Sequence, residues 1–196
     1  MAPGKRERIL ESALRVFARK GFYNAKVSEI ASMAGIADGT IYLYFKSKDD
    51  LLISLFEDRM DWLIRRLSTE LEKCDDIIEK LHRYVFIHLS LALEYPEVAE
   101  FITVELRQSA KFVREYANPK FNEYLKILRN LIASGQEEGR LRDDLEPRLV
   151  SRAIFGALDE LLLTAVLSQR ASTEMIDDWA SQVSCIFFDG LAKIQP

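Results

Sequence analysis

Between residues 26 and 48 the chain brings together the hydroxyls of Thr40, Tyr42 and Tyr44 and the ammonium groups of Lys26, Lys46 and Lys48. No histidine or paired carboxylate stands among them at the spacing that general acid–base work needs. Their chemistry is contact with a polyanion: hydroxyls bond phosphate oxygens or base edges, and lysines neutralise phosphate charge. Three other residues set their positions. Ala31 lets two helices approach closely, Gly35 follows four residues on where a sharp turn needs a positive φ, and Ile41 comes six residues later and faces back into the helix pair. That order is the frame of a helix-turn-helix, which holds its second helix proud of the surface for a major groove.

Within that frame each side chain has an expected role. Thr40 lies near the start of the second helix, where its hydroxyl reaches a base edge and its methyl a thymine methyl. Gly39, with no side chain, lets the backbone come close to the groove wall. Tyr42 points its hydroxyl at phosphate, and Leu43 is grouped with it. Tyr44 either packs on the first helix or reaches phosphate. Phe45, four residues after Ile41, belongs to the core. Lys46 and Lys48 follow directly and suit phosphate neutralisation.

The elements that position these residues read as helices throughout. Of 196 residues 48% are apolar, with only 8 Gly and 5 Pro, and β-branched residues rarely alternate with polar ones. This predicts an all-α protein of about nine helices. The first spans 4–20, with Pro3 at its start and Gly21 at its stop. The second spans 27–34 and the third 38–45. Ser47 caps a fourth that runs to about Cys74, with Asp50 in the capping-box place. The fifth, 76–94, is too apolar for one exposed face and is expected to be buried on most sides. The sixth runs from Pro96 to about Ser109, the seventh over 119–138 to a stop at Gly139, the eighth from Pro147 and the ninth from about Thr173. The stripes Phe155/Leu158/Leu162 and Trp179/Val183/Phe187 are expected to form a dimer seam. The division is a helix-turn-helix DNA-binding domain over 1–47 and a larger body over 48–196.

The net charge of −4 hides an asymmetry. Residues 1–50 hold 9 Lys/Arg and 6 Asp/Glu, net +3, and the other 146 hold 18 and 25, net −7. A basic end on an acidic body presents one face to phosphate. Cys74 and Cys185 are isolated thiols without metal-site spacing, which suits a reducing cytoplasm. His82 and His88, six apart, fall on different faces and form no chelate. The longest apolar run, Leu161 to Leu167, is far short of the ~20 residues of a membrane span, and no secretion signal is visible. No catalytic constellation and no resident cofactor are expected.

The string Tyr42-Leu43-Tyr44-Phe45-Lys46-Ser47-Lys48, followed at once by a long amphipathic helix, resembles the TetR family of bacterial transcriptional repressors. Ala37 to Lys46, Leu52 to Phe56 and Glu105-Leu106-Arg107-Gln108-Ser109 are similar to segments of that family's repressors of fatty-acid degradation, which release their operators on binding long-chain acyl-CoA. The resemblance implies a cytoplasmic homodimer on double-stranded operator DNA. It implies helices one to three on DNA, four to seven around an effector cavity, and eight and nine at the dimer interface. Ala25 and Lys26 stand where the family places Thr or Ser, so Lys26 offers phosphate a cation in place of the hydroxyl.

On the effector side, Phe86, Leu89, Leu93, Phe101, Leu106, Phe121, Tyr124, Leu125 and Leu128 come from the helices that line the family's cavity. Each also reads as ordinary core. Arg107 either holds a CoA phosphate or pairs with an acid such as Glu105. The alternative effector is a cationic drug-like molecule, for which Glu94, Glu100 and Glu105 supply candidate carboxylates.

Overall fold

The structure, a computed structural model, describes residues 4–105, 119–168 and 171–190. These residues form nine α-helices: α1 Lys5–Asn24, α2 Val27–Met33, α3 Asp38–Ile41, α4 Lys48–Leu71, α5 Ile77–Glu94, α6 Pro96–Glu100, α7 Pro119–Glu137, α8 Pro147–Ser168 and α9 Thr173–Ser184. α6 and α9 each run on as a π-helical turn, Phe101–Glu105 and Cys185–Asp189. The described residues contain no β-strand, as composition predicts. Pro3 and the residues from Leu106 to Ser109 lie outside the described residues, and so does the side chain of Glu105.

The chain divides into two compact units. The first takes the described residues of Met1–Arg59 and Pro96–Ala117, and the second those of Met60–Tyr95 and Asn118–Pro196. α4 belongs to the first as far as Arg59 and to the second from Met60.

In the first unit, α1 buries the apolar face Ile9, Leu10, Ala13, Val16 and Phe17. Its helical winding breaks at Gly21, at φ 76°, where the sequence places its end. The start of α4 is fixed by a cap: the Ser47 hydroxyl accepts from the Asp50 amide at 3.1 Å, and the Asp50 carboxylate accepts from the Lys46 amide at 2.7 Å. Further along α4, Arg59 reaches back to Glu11 of α1 at 3.4 Å.

In the second unit α5 is the central helix, packed by α7, α8 and α9. Ten of its residues are buried, including Leu81, Tyr84, Val85, His88 and Leu89. Each such aliphatic side chain contributes about 1.5–3 kcal/mol by leaving water. Asp76 starts the helix by accepting from the amides of Ile78 and Glu79, at 2.9 and 3.1 Å. α7 ends at Gly139, at φ 69°, with Arg140 and Gly139 donating back to the carbonyls of Gly135 and Gln136.

Three expectations are corrected. The third helix is one turn, Asp38–Ile41, and not 38–45, because the amides of Leu43 and Tyr44 close tighter bonds to Thr40 and Ile41. Within the described residues the sixth keeps α-winding over Pro96–Glu100 and then loosens into the π turn, and its predicted end near Ser109 lies outside them. The expected dimer stripes do not face outward as wholes. Leu158, Leu162 and Val183 are buried inside a single protomer, and only Phe155, Trp179 and Phe187 stay half-exposed.

Candidate functional site

The turn between α2 and α3 explains its own sequence. Ile36 donates to the Ala31 carbonyl at 3.0 Å and Gly35 to the Ser32 carbonyl at 3.1 Å, a Schellman closure of α2. That closure puts the residue after the cap in the left-handed region, and Gly35 is there at φ 65°. Ala31 is fully buried between the helices, and Ile41 and Phe45 are buried beneath α3. With those two anchored, the side chains between them turn outward. Tyr42 is 57%, Leu43 81% and Tyr44 42% exposed. Gly39 is exposed and Thr40 half-buried at the rim of the same one-turn helix. The sequence-predicted contact residues therefore share one outward edge of the first unit.

The cations fall at its flanks. Lys46 is exposed. Lys26 precedes α2 as its N-cap and makes no side-chain cap bond. Glu29 accepts from the Lys26 amide at 3.4 Å and pairs with Lys20; the first of these bonds serves the cap residue's own N–H and not the amide that a hydroxyl would take. The Lys20 hydrogen bond first, and the Lys26 amide second, hold the Glu29 carboxyl below its usual range. Lys48 is half-buried. Its ammonium donates to the Tyr23 carbonyl at 3.1 Å and sits 4.7 Å from the centre of the Phe22 ring. Burial pulls this ammonium below the usual lysine range. Arg6 adds a cation 5.6 Å from the Phe45 ring, a contact the sequence does not announce.

The residues expected around the effector separate. Leu89, Tyr124, Leu125 and Leu128 are buried in the second unit, and Phe86, Leu93 and Phe121 are half-buried there. Phe101 is instead in the first unit, where its ring stacks on Phe17 at 6.5 Å, so it does not join the others. Its place in the predicted sixth helix suggests the cavity, but its partner is Phe17 of α1. Leu106 and Arg107 lie outside the described residues.

Around Tyr124 the second unit holds a polar aromatic cluster. His88 Nδ1 shares a 2.6 Å hydrogen bond with the Tyr124 hydroxyl. The Phe155 ring stands edge-on to His88 at 5.8 Å and to Phe121 at 5.0 Å, and the Tyr84 and Tyr124 rings are 5.5 Å apart. His88 Nε2 and the Tyr84 hydroxyl are buried without a partner of good geometry among the described residues. Burial raises both tyrosine hydroxyls above their usual range and pushes His88 down to about 4. The imidazole is thus neutral at pH 7.

The candidate carboxylates for a cationic effector are partly spent. Glu94 forms an ion pair with Arg66, whose guanidinium also lies 5.1 Å from the Tyr95 ring. Glu100 is partly buried, which raises its carboxyl above the usual range. Among the described residues no group of His, Cys, Asp or Glu is arranged to hold a metal ion, and no helix is long and apolar enough to cross a membrane. Cys74 and Cys185 are both free.

Known proteins share this arrangement. Residues 9–55 match the family described as bacterial regulatory proteins, tetR family, and residues 56–178 match the YsiA-like protein, C-terminal region. The chain is 38% identical to the fatty acid metabolism regulator protein of Bacillus subtilis (strain 168), over 83% of this chain and 84% of that one. The crystal structure of the transcriptional regulator FadR from Bacillus subtilis in complex with stearoyl-CoA superposes with a TM-score of 0.86 at 34% identity, covering 94% of this chain and 98% of that one. The fatty acid degradation regulator FadR from Bacillus halodurans gives a TM-score of 0.88 at 34% identity, over 97% and 98%. An exposed reading edge on a buried helix-turn-helix frame, and these likenesses along nearly the whole chain, lead to one conclusion: the protein is a transcriptional regulator and not an enzyme, and it belongs to the TetR family of bacterial regulatory proteins.

Proposed function

We propose that this chain represses fatty-acid-degradation genes in the cytoplasm and leaves its operator when long-chain acyl-CoA binds. The observation that carries the reading is the 34% identity, over 94% of the chain, to a regulator whose structure holds stearoyl-CoA. The aromatic and aliphatic side chains of α5, α7 and α8 supply the apolar surroundings an acyl chain needs. No resident cofactor takes part. The effector acts by favouring a conformation in which paired heads no longer match successive major grooves ~34 Å apart.

The two heads come from a homodimer joined through α8 and α9. In support, Leu149 and Leu167 on α8 and Ile186 after α9 are each about two-thirds exposed on the protomer. Leu167→Glu is the suitable probe, because Leu158 belongs to the protomer's own core. Sedimentation equilibrium should give a dimer for the natural chain and a folded monomer for the variant. A folded natural monomer at micromolar concentration removes the dimer.

The effector test uses an operator selected from random duplex DNA by the protein itself. Release is followed by fluorescence anisotropy against acyl-CoA of increasing length. Each added methylene contributes about 0.8 kcal/mol at most, so potency should climb steeply with length until the cavity is full. Release that is flat with chain length, or release by a lipophilic cation but not by palmitoyl-CoA, overturns the reading.

A further inference from the structure

The chain enters, leaves and re-enters the second unit, and the residues at those places are tied to one another. α4 belongs to this unit from Met60, the first stretch of the unit closes at Tyr95, and its described residues resume at Pro119. Asp61 of α4 forms an ion pair at 2.6 Å with Lys120, near the start of α7. Farther along α4 the Arg66 guanidinium pairs with Glu94, the last residue of α5. It also lies 5.8 Å from the centre of the Trp62 ring and 5.1 Å from that of Tyr95. Those two rings meet edge-on, 4.5 Å apart. Asp61, Trp62, Arg66, Glu94, Tyr95 and Lys120 thus form a collar inside the second unit.

Other ion pairs of this unit differ in character. Lys73–Glu70 and Arg142–Asp144 join near neighbours in sequence, and Arg140–Asp76 lies at the opposite end of α5. An exposed pair alone contributes little. The Arg66 side chain, however, is only 21% exposed, and a cation held against two rings and a carboxylate is screened less by salt and water. Arg66 Nη1 is buried without a partner among the described residues. That unsatisfied donor offsets part of the gain, so the collar holds without being permanent.

We propose that this collar holds the body in its operator-binding conformation, and that Arg66 is the positioning residue that sets how much effector release requires. The inference rests on the acyl-CoA reading above. An acyl chain lodged beside α5 and α7 has to part helices, and the collar ties α4 to both of them. Opening the body therefore works against the collar. A ligand that binds one of two conformations has its affinity reduced by the fraction of molecules in that conformation. Weakening the collar raises that fraction. Palmitoyl-CoA should then bind more tightly, although the change lies at the collar.

The test uses the full-length chain. Palmitoyl-CoA affinity is measured by calorimetry without DNA, and operator affinity by anisotropy without effector. The proteins are the natural chain, Arg66→Met, Asp61→Asn and, as a control, Arg140→Gln, which loses the pair at the far end of α5. Arg66→Met should bind palmitoyl-CoA roughly tenfold more tightly, within the usual range of allosteric couplings, and should hold the operator no more tightly than the natural chain does. Asp61→Asn should shift the same way by a smaller factor, and Arg140→Gln should not shift. A merely structural role predicts the reverse, a looser fold that binds palmitoyl-CoA more weakly. A second measurement needs no change at the collar. In Trp179→Phe the remaining tryptophan is Trp62. Its emission should move to the red on saturation with palmitoyl-CoA, as the ring parts from Tyr95 and Arg66.

If Arg66→Met binds palmitoyl-CoA as the natural chain does, or more weakly, the collar assignment falls and the acyl-CoA reading stands. An equal gain in Arg140→Gln also sinks it, since the loss of any ion pair would then serve. If Trp62 emission does not move at saturation, the collar stays shut in the liganded chain and the assignment falls; should Arg66→Met not fold, this measurement alone decides. If palmitoyl-CoA does not release the natural chain from its operator, the acyl-CoA reading falls and the role of the collar falls with it.

Discussion

Acidification from pH 7 to pH 5 should remove about 2 kcal/mol of folding stability through one residue, His88. Its ring is buried between Tyr124, to which it is hydrogen-bonded, and the edge of Phe155. Burial pushes its pKa from the ordinary 6.5 to about 4. The folded chain therefore keeps the imidazole neutral where the unfolded chain takes up a proton. The unfolded state binds more protons below pH 6.5, so stability falls as pH falls, and the full effect is reached only below pH 4. At 1.36 kcal/mol per tenfold, the displacement amounts to about 3.4 kcal/mol in all and about 2 kcal/mol at pH 5. Above pH 7 the contribution vanishes. Urea unfolding followed by circular dichroism, at fixed protein concentration from pH 5 to 7.5, measures it in the natural chain and in His88→Gln. The variant keeps a polar partner for Tyr124 and cannot titrate. Its curve should be flatter by about 2 kcal/mol over that range, whatever its offset. Parallel curves for the two proteins would falsify the argument, because they would mean that His88 charges within the fold at ordinary cost.

Three further outcomes follow from the same geometry. Thr40→Ala should lose about 1–3 kcal/mol of specific operator binding and leave the salt dependence intact, whereas Lys46→Ala should weaken all duplexes alike and lower the salt slope by about one; anisotropy titrations at several salt concentrations separate them, and two unchanged affinities refute the head. Gly35→Ala should destabilise the fold by about 1 kcal/mol through backbone strain alone, since nothing lies within 4 Å of the added carbon; thermal unfolding checks it, and an unchanged or higher Tm counts against the left-handed turn. Gly135→Ala gains about 1 kcal/mol of helix propensity but drives its Cβ to 2.7 Å from Leu141 Cδ1, so overpacking of about 1–3 kcal/mol should win; a more stable variant in urea would show that Leu141 swings away freely.

What the sequence reveals here is what local stereochemistry dictates. Ala31, Gly35 and Ile41 are legible because a closed turn admits few residue types at each place. Gly21 and Gly139 mark helix ends for the same reason, and the density of apolar residues in α5 announces its central place. The shortness of α3 is not legible, because Tyr42 to Phe45 continue an apolar period while the backbone tightens. Nor is the π turn at Phe101–Glu105, whose residues read as ordinary helix. Contacts between distant residues stay hidden. The His88–Tyr124 bond spans 36 residues, and Phe101 meets Phe17 rather than the helices named as its neighbours.

Lys48 illustrates a thermodynamic point about recognition. Its ammonium is already held by the Tyr23 carbonyl and the Phe22 ring while the protein is free in solution. A long lysine side chain ordinarily loses about 0.5–1.5 kcal/mol of rotamer freedom when a partner immobilises it. Here much of that loss belongs to folding and not to association. One of the three ammonium donors is given to the Tyr23 carbonyl, and the charge also faces the Phe22 ring. Any anion that meets this lysine encounters a charge already fixed in place, and the entropy of association is less unfavourable by that amount than for a freely moving lysine.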